Sequence, residues 1–323
     1  MNMEHSNKAQ AIIVALAGLF AFVTIVIADD TTSSVTVSNA TPSISTVNFN
    51  GGSAITLTEA TYTYASATIT VSDTNGCSTI NAVEARAFVA STSPVAVGNA
   101  CAANDNNCYI TASSSIAAPT LGGCYATTTG NTCTGGLDTS VQYDCGFKFW
   151  YIAEGTDSAA PVWASSIWSI SATTSDGSAT STATNSTQVV EINSLSALDV
   201  TATLPYGTLS VGTNTGSTNS TSTVTTTGNI AIDTQLSGTD MTGAGTIDVS
   251  RQIYHNAAFT YPSGTARLTT TTTPTLELLN NNNPSSTTTN SIATSSASWG
   301  IQIDTGQANG AYTGTNTFAA TAD

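Results

Sequence analysis

NIAIDTQLSG, Asn229 to Gly238, alternates too regularly for a helix. Ile230, Ile232, Thr234 and Leu236 fall on one side of an extended chain, and Ala231, Asp233 and Gln235 on the other. A period of two fits a strand, whose successive side chains point to opposite faces, and not the 3.6-residue turn of a helix. The pattern recurs in both directions from here. WGIQID sets Trp299, Ile301 and Ile303 against Gly300, Gln302 and Asp304. ALDVTATL groups Leu198, Val200, Ala202 and Leu204, and ATITVSD groups Ala67, Ile69 and Val71. The Thr and Val content favours the same reading, because β-branched side chains suit a pleated surface. FKFWYIA, Phe147 to Ala153, is bulky on both faces and is expected to be a central strand covered on both sides. Asn75-Gly76, Asp176-Gly177 and Asn309-Gly310 carry the residues that accept the positive φ of hairpin turns. No amphipathic helical pattern of useful length follows Asp30. Strands about every ten residues with no helices between them predict an all-β fold of sandwiches or barrels.

Composition narrows the function. Of 323 residues 40% are hydrophobic, enough for a core, but only 8% are charged, against ~25% in ordinary soluble domains. Hydroxyls and amides replace ion pairs on such a surface, a pattern that suits secreted or surface-displayed β proteins. Five basic residues against twenty acidic ones give a net charge of −15. Beyond the N-terminal segment the cations are Arg86, Lys148, Arg251 and Arg267. Nucleic-acid binding needs cations to displace counterions from phosphates, so it is excluded, as is peripheral binding to an anionic membrane.

Cys77, Cys101, Cys108, Cys124, Cys133 and Cys145 all lie in one third of the chain. An even number without C-x-x-C spacing, and without a nearby His, points to disulfides rather than zinc. Cys101 with Cys108 and Cys124 with Cys133 would each close a short loop, which leaves Cys77 for Cys145. That last pair sits in poor register if the flanking strands run antiparallel, so the connectivity stays open.

The long apolar run, Ala11 to Ala28, is uncharged, with Lys8 before it and Asp29-Asp30 after it. As a helix it would span about 27 Å, close to a bilayer core. The charge asymmetry places the rest of the chain outside the cell. Residues 1–28 are read as a signal peptide cut after Ala28, a retained membrane anchor, or a filament stem cut near Lys8-Ala9-Gln10. That last site resembles the processing site of archaeal type IV pilins.

The remainder divides near Asn193-Ser194 into 33–193, which holds every cysteine, and 194–323, which holds none. ATITVSDTNGCSTI and WSISATTSDGSATSTATNSTQVVEI resemble strands of the immunoglobulin-like domains of prokaryotic surface proteins. TTTGNIAIDTQLSG with SWGIQIDTGQANGAYTGTNTFAATA resembles a second such domain, closed by the hairpin Gly310-Ala311-Tyr312-Thr313-Gly314. The resemblance implies two tandem immunoglobulin-like β-sandwiches after an N-terminal hydrophobic helix. It also implies a structural role in a surface layer, appendage or filament, with partners that are copies of the chain or other surface proteins. The alternative is an adhesin or carbohydrate-binding module. TTSSVTVSNATPSISTVNF, Thr31 to Phe49, is a candidate donor strand for a neighbouring subunit; in the competing reading Val35 and Val37 pair within their own domain.

Candidate sites are few. No catalytic constellation, phosphate loop or H-E-x-x-H motif occurs, and His255 has no patterned partner. No cofactor is expected; calcium is the one candidate ion, through Asp73, Asn75, Asn104 and Asp105, which offer oxygen ligands in loops. Sugar stacking would use Tyr62 and Tyr64 with Trp150, Trp163 and Trp168. Asn39, Asn185 and Asn219 open N-x-S/T glycosylation sequons.

Overall fold

The computed structural model describes residues 31–90, 103, 106–111, 123–127, 132–160, 162–185, 188–264, 266–271, 275–276 and 292–322. The apolar run 11–28, Cys101, Asn104 and Asp105 lie outside these residues. Met1–Ser38 and Asn39–Asp323 form two separate units. Of the first, residues 31–38 are exposed and carry no strand. The second holds every element named below.

Its first half contains β1 (Ser43–Phe49), β2 (Tyr62–Ser72), β3 (Ala82–Ala90), β4 (Cys108–Ile110), β5 (Cys124–Ala126), β6 (Ser140–Trp150), β7 (Ile167–Ser175) and β8 (Thr180–Thr184). The second half contains β9 (Leu198–Val200), β10 (Ser220–Thr226), β11 (Ile232–Gly238), β12 (Met241–Gly243), β13 (Thr246–Ile247) and β14 (Gln252–His255). It continues with β15 (Ala266–Arg267), β16 (Thr275–Leu276), β17 (Thr294–Ile301), β18 (Tyr312–Thr313) and β19 (Asn316–Ala322). Among the described residues the only helical turns are three short 3-10 turns. The described residues are all-β, as the alternation predicts.

Two antiparallel sheets, β1-β2-β6-β5 and β4-β3-β7-β8, contribute to the first core. Ala67, Ile69 and Val71 of ATITVSD are fully buried there beside Phe147, Phe149 and Trp168. The sheets β15-β14-β17-β10-β9 and β16-β11-β19 contribute to the second core. Ile230, Ile232, Thr234 and Leu236 are buried as a set, with Asp233 and Gln235 half-buried on the opposite face. The Thr-rich run around Val224 is strand β10, pinned between β9 and β17.

The two cores are tied through Asn229, which is buried. Its Nδ2 donates to the Ala153 carbonyl at 2.9 Å and its Oδ1 accepts the Leu195 amide at 2.6 Å. The backbones close up here: a Cβ on Gly228 would lie 1.9 Å from the Leu195 carbonyl oxygen, so only glycine fits. On the first-core side the junction lies at the Tyr62 end of β2, where Ala60 donates to Thr227 and Thr227 donates to Glu59.

Several expectations are corrected. β6 is a central strand, but only one of its faces is buried. Phe147 and Phe149 point inward, Lys148 is exposed and Trp150 is half-buried. The outer face covers itself instead. Tyr62 lies 4.2 Å from the Trp150 ring, and Lys148 Nζ sits 3.8 Å over the Tyr62 ring. In ALDVTATL only Leu198–Val200 pair as a strand. Tyr312 and Thr313 do not form a hairpin of their own but pair with β12.

The structure closes Cys77–Cys133 and Cys124–Cys145, neither being a short-loop pair. Cys145 stands opposite Cys124 in the β5–β6 ladder and opposite Ala67 in the β2–β6 ladder. Cys77 lies five residues beyond the end of β2, too far along the sheet to meet Cys145. It lies instead beside the loop that leads into β6, its amide bonded to the Asp138 carbonyl. Cys108 is also disulfide-bonded.

Candidate functional site

The second core is open along one side. Among the described strands β19 ends one sheet and β9 ends the facing sheet. Between these edges runs a cleft of about 260 Å³, lined by Val200, Leu204, Tyr206, Met241, Gln252 and Phe318 among others. Tyr206 and Met241 also line a larger groove of about 700 Å³, bounded by Leu209, Val211, Ile247 and Ile303. Among the described residues no charged side chain lines either one.

Sequence explains the opening. Leu198, Val200, Ala202 and Leu204 alternate as a strand would, but β9 stops at Val200, and Pro205 and Gly207 follow soon after, both unsuited to a sheet interior. The inward face of the segment is therefore only half covered: Val200 and Leu204 are half-buried and Ala202 is exposed. Phe318 of β19, also half-buried, packs edge-on against the fully buried Trp299 at 5.8 Å.

A small polar cluster sits at the cleft. Tyr206 Oη and Asn316 Nδ2 both donate to Gln252 Oε1 at 2.8 Å. Burial pushes the Tyr206 hydroxyl well above the usual phenol range, with the Asn316 side chain pulling the other way. Gln252 is buried, and its Nε2 donors have no partner. An unsatisfied buried amide is costly to the fold.

Among the described residues the sites expected from sequence do not converge. Asp73 is buried and uses its carboxylate to brace its own turn, accepting the Asn75 amide at 2.8 Å and the Thr79 hydroxyl at 3.1 Å. Among the described residues no three metal-ligating side chains come together; Asn104 and Asp105 lie outside them. His255 Nδ1 accepts the Ala257 amide at 2.9 Å, a turn contact. Trp168 belongs to the first core and donates to the Glu154 carbonyl. Tyr62, Tyr64 and Trp150 form an aromatic strip on the outer face of β2 and β6. Of the sequon asparagines, Asn39 is exposed. Asn185 is buried with its Nδ2 donating to Gln188, and Asn219 Nδ2 is also buried. The cleft residues Tyr206, Met241 and Gln252 escaped the sequence reading. The signal for Tyr206 was the apolar continuation LPYGTLSV after an alternating segment, which reads as a loop; Met241 and Gln252 carry none.

No family model matches this chain, nor does any curated protein. The functional reading rests on the geometry.

Proposed function

We propose that this chain is a non-enzymatic structural protein of a cell-surface layer, appendage or filament. It is built from two immunoglobulin-like β-sandwiches and assembles through them outside the cell. The observation that carries the reading is the uncharged cleft, part apolar and part polar, between two sheet edges in the second core. Such edges template pairing with another chain, and natural sheets normally blunt them with charge or cover. Here the edge is flanked by apolar side chains on a protein whose net charge is −15. The intramolecular disulfides are compatible with an oxidising compartment.

The aromatic strip of Tyr62, Tyr64 and Trp150 favours the second reading, a carbohydrate-binding adhesin, because exposed aromatic faces stack on the apolar faces of sugars. One experiment separates the two. Full-length protein is followed by sedimentation and electron microscopy without ligand, and its tryptophan fluorescence is titrated with oligosaccharides. Ligand-free growth into large regular assemblies is the expected result. A protein that stays monomeric and shows saturable, saccharide-specific fluorescence protection would replace the structural reading with the adhesive one.

A further inference from the structure

We infer that the cleft between β9 and β19 receives residues Thr31–Ser38 of a second copy of this chain, laid as an added strand along the outer edge of β19. The inference rests on the self-assembly reading above and names the partner surface. Thr31–Ser38 has the composition of a strand but forms none. Val35 and Val37 share one face of the extended chain and are 87% and 77% exposed. The eight residues of this segment match the seven of β19, which pairs with β11 along its whole length on one side and ends its sheet on the other. An edge of this kind presents a row of unpaired N–H and C=O groups. Val200, Leu204 and Phe318 offer apolar contact to two valines. Neither the segment nor the cleft bears a charge, so two copies, each at −15, meet where their repulsion is least.

Covalent reach excludes the chain's own cleft. The donor segment leads into Asn39 and Ala40, which are held by Asp176 and Asn75 at the Ser72 end of β2. The second core adjoins the opposite end of β2, through Ala60 and Glu59. The eleven residues of β2 separate these ends by about 33 Å. Val35 is four residues from Asn39, a reach of about 13 Å at full extension. The donor therefore meets a cleft only on another copy. A donor and an acceptor on different surfaces of one chain make a head-to-tail contact, which repeats without closing unless the rotation brings it round to a ring.

The test places the photo-crosslinker p-benzoylphenylalanine at position 37 of the full chain and mixes isotopically light and heavy preparations before irradiation. The expected product joins position 37 of one isotope to Val200–Leu204 or Asn316–Ala322 of the other. A crosslink within one chain, or one to another surface of the second copy, overturns the inference. Large assemblies crosslinked elsewhere would leave the structural reading standing without the donor strand, whereas chains that stay monomeric and uncrosslinked would sink both. A double variant, Val35→Asp with Val37→Asp, should lose the high-mass species while keeping the parent's circular dichroism and denaturation midpoint. Undiminished assembly by that variant also overturns the inference.

Discussion

Glu154 sets a pH dependence that one substitution should remove. It lies just after β6, almost fully buried, with its amide bonded to the Asn106 carbonyl and its Oε1 without a partner. Burial pushes its carboxyl from 4.5 up to about 8, and the Trp163 indole pulls the other way. Between those values the unfolded chain has released the proton and the folded chain still holds it. Stability is thus full below about 4.5, falls as pH rises, and levels off above about 8. At ~1.4 kcal/mol per pH unit the loss across that window is roughly 5 kcal/mol. Glu154→Gln keeps the shape of the protonated acid and cannot ionise. Urea denaturation followed by tryptophan fluorescence, from pH 5 to pH 9, should give similar stabilities for both proteins at the acid end. The variant should then gain progressively, reaching several kcal/mol at the alkaline end. Subtracting the two curves cancels every other titrating group. A difference that stays flat across this range would show that the buried carboxyl is not held protonated and refute the reasoning.

Three further outcomes are expected. Tyr254 is fully buried against Trp299 with an unpartnered hydroxyl, and burial pushes its pKa up to about 12. Tyr254→Phe should therefore be neutral or stabilise by about 1–3 kcal/mol, read as a raised denaturation midpoint. Replacing both Cys77 and Cys133 by Ala opens a crosslink between residues 56 apart and should cost about 4 kcal/mol; a change below about 1 kcal/mol in the denaturation free energy would contradict it. Gly177 holds φ +89° in the β7–β8 turn with Asn81 Nδ2 2.7 Å from where a Cβ would sit. Gly177→Ala should lower stability by about 1–2 kcal/mol, measured by thermal melting, and a melt that matches the parent would remove the need for glycine.

Period-two alternation was enough to place the strands wherever a core covers one face, as at Ile230–Leu236 and Ala67–Val71. It failed where the cover is missing. Leu198–Leu204 reads as a complete strand because a sequence records which side chains want burial and not whether a neighbour arrives to bury them. Phe147–Ala153 failed in the opposite direction: Lys148 stays exposed, and Trp150 is half-covered by Tyr62, a residue more than eighty positions away that only the β2–β6 register brings near. The disulfide map needed the same long-range register. Loop length favours Cys124 with Cys133, but strand pairing puts Cys124 opposite Cys145. The cleft was illegible for this reason too, since its walls come from β9 and the segment after it, β10, β12, β14 and β19, scattered from Val200 to Phe318.

The placement of Asn39 at one end of β2 and of the junction at the other has a consequence for how load passes through the molecule. β1 runs from its Ser43 end, beside Ser72, to Phe49, beside Ala67. The chain leaves the first core near Ile192–Leu195, at the junction end, where Asn193 bonds to Ile55. A pull on Asn39 is therefore directed along the axis of β1, across rungs that lie perpendicular to it. The rungs between β1 and β2 are strained together in shear rather than peeled apart one at a time. Rupture under tension is governed by the barrier to breaking the whole ladder at once, a property of the unfolding rate rather than of equilibrium stability.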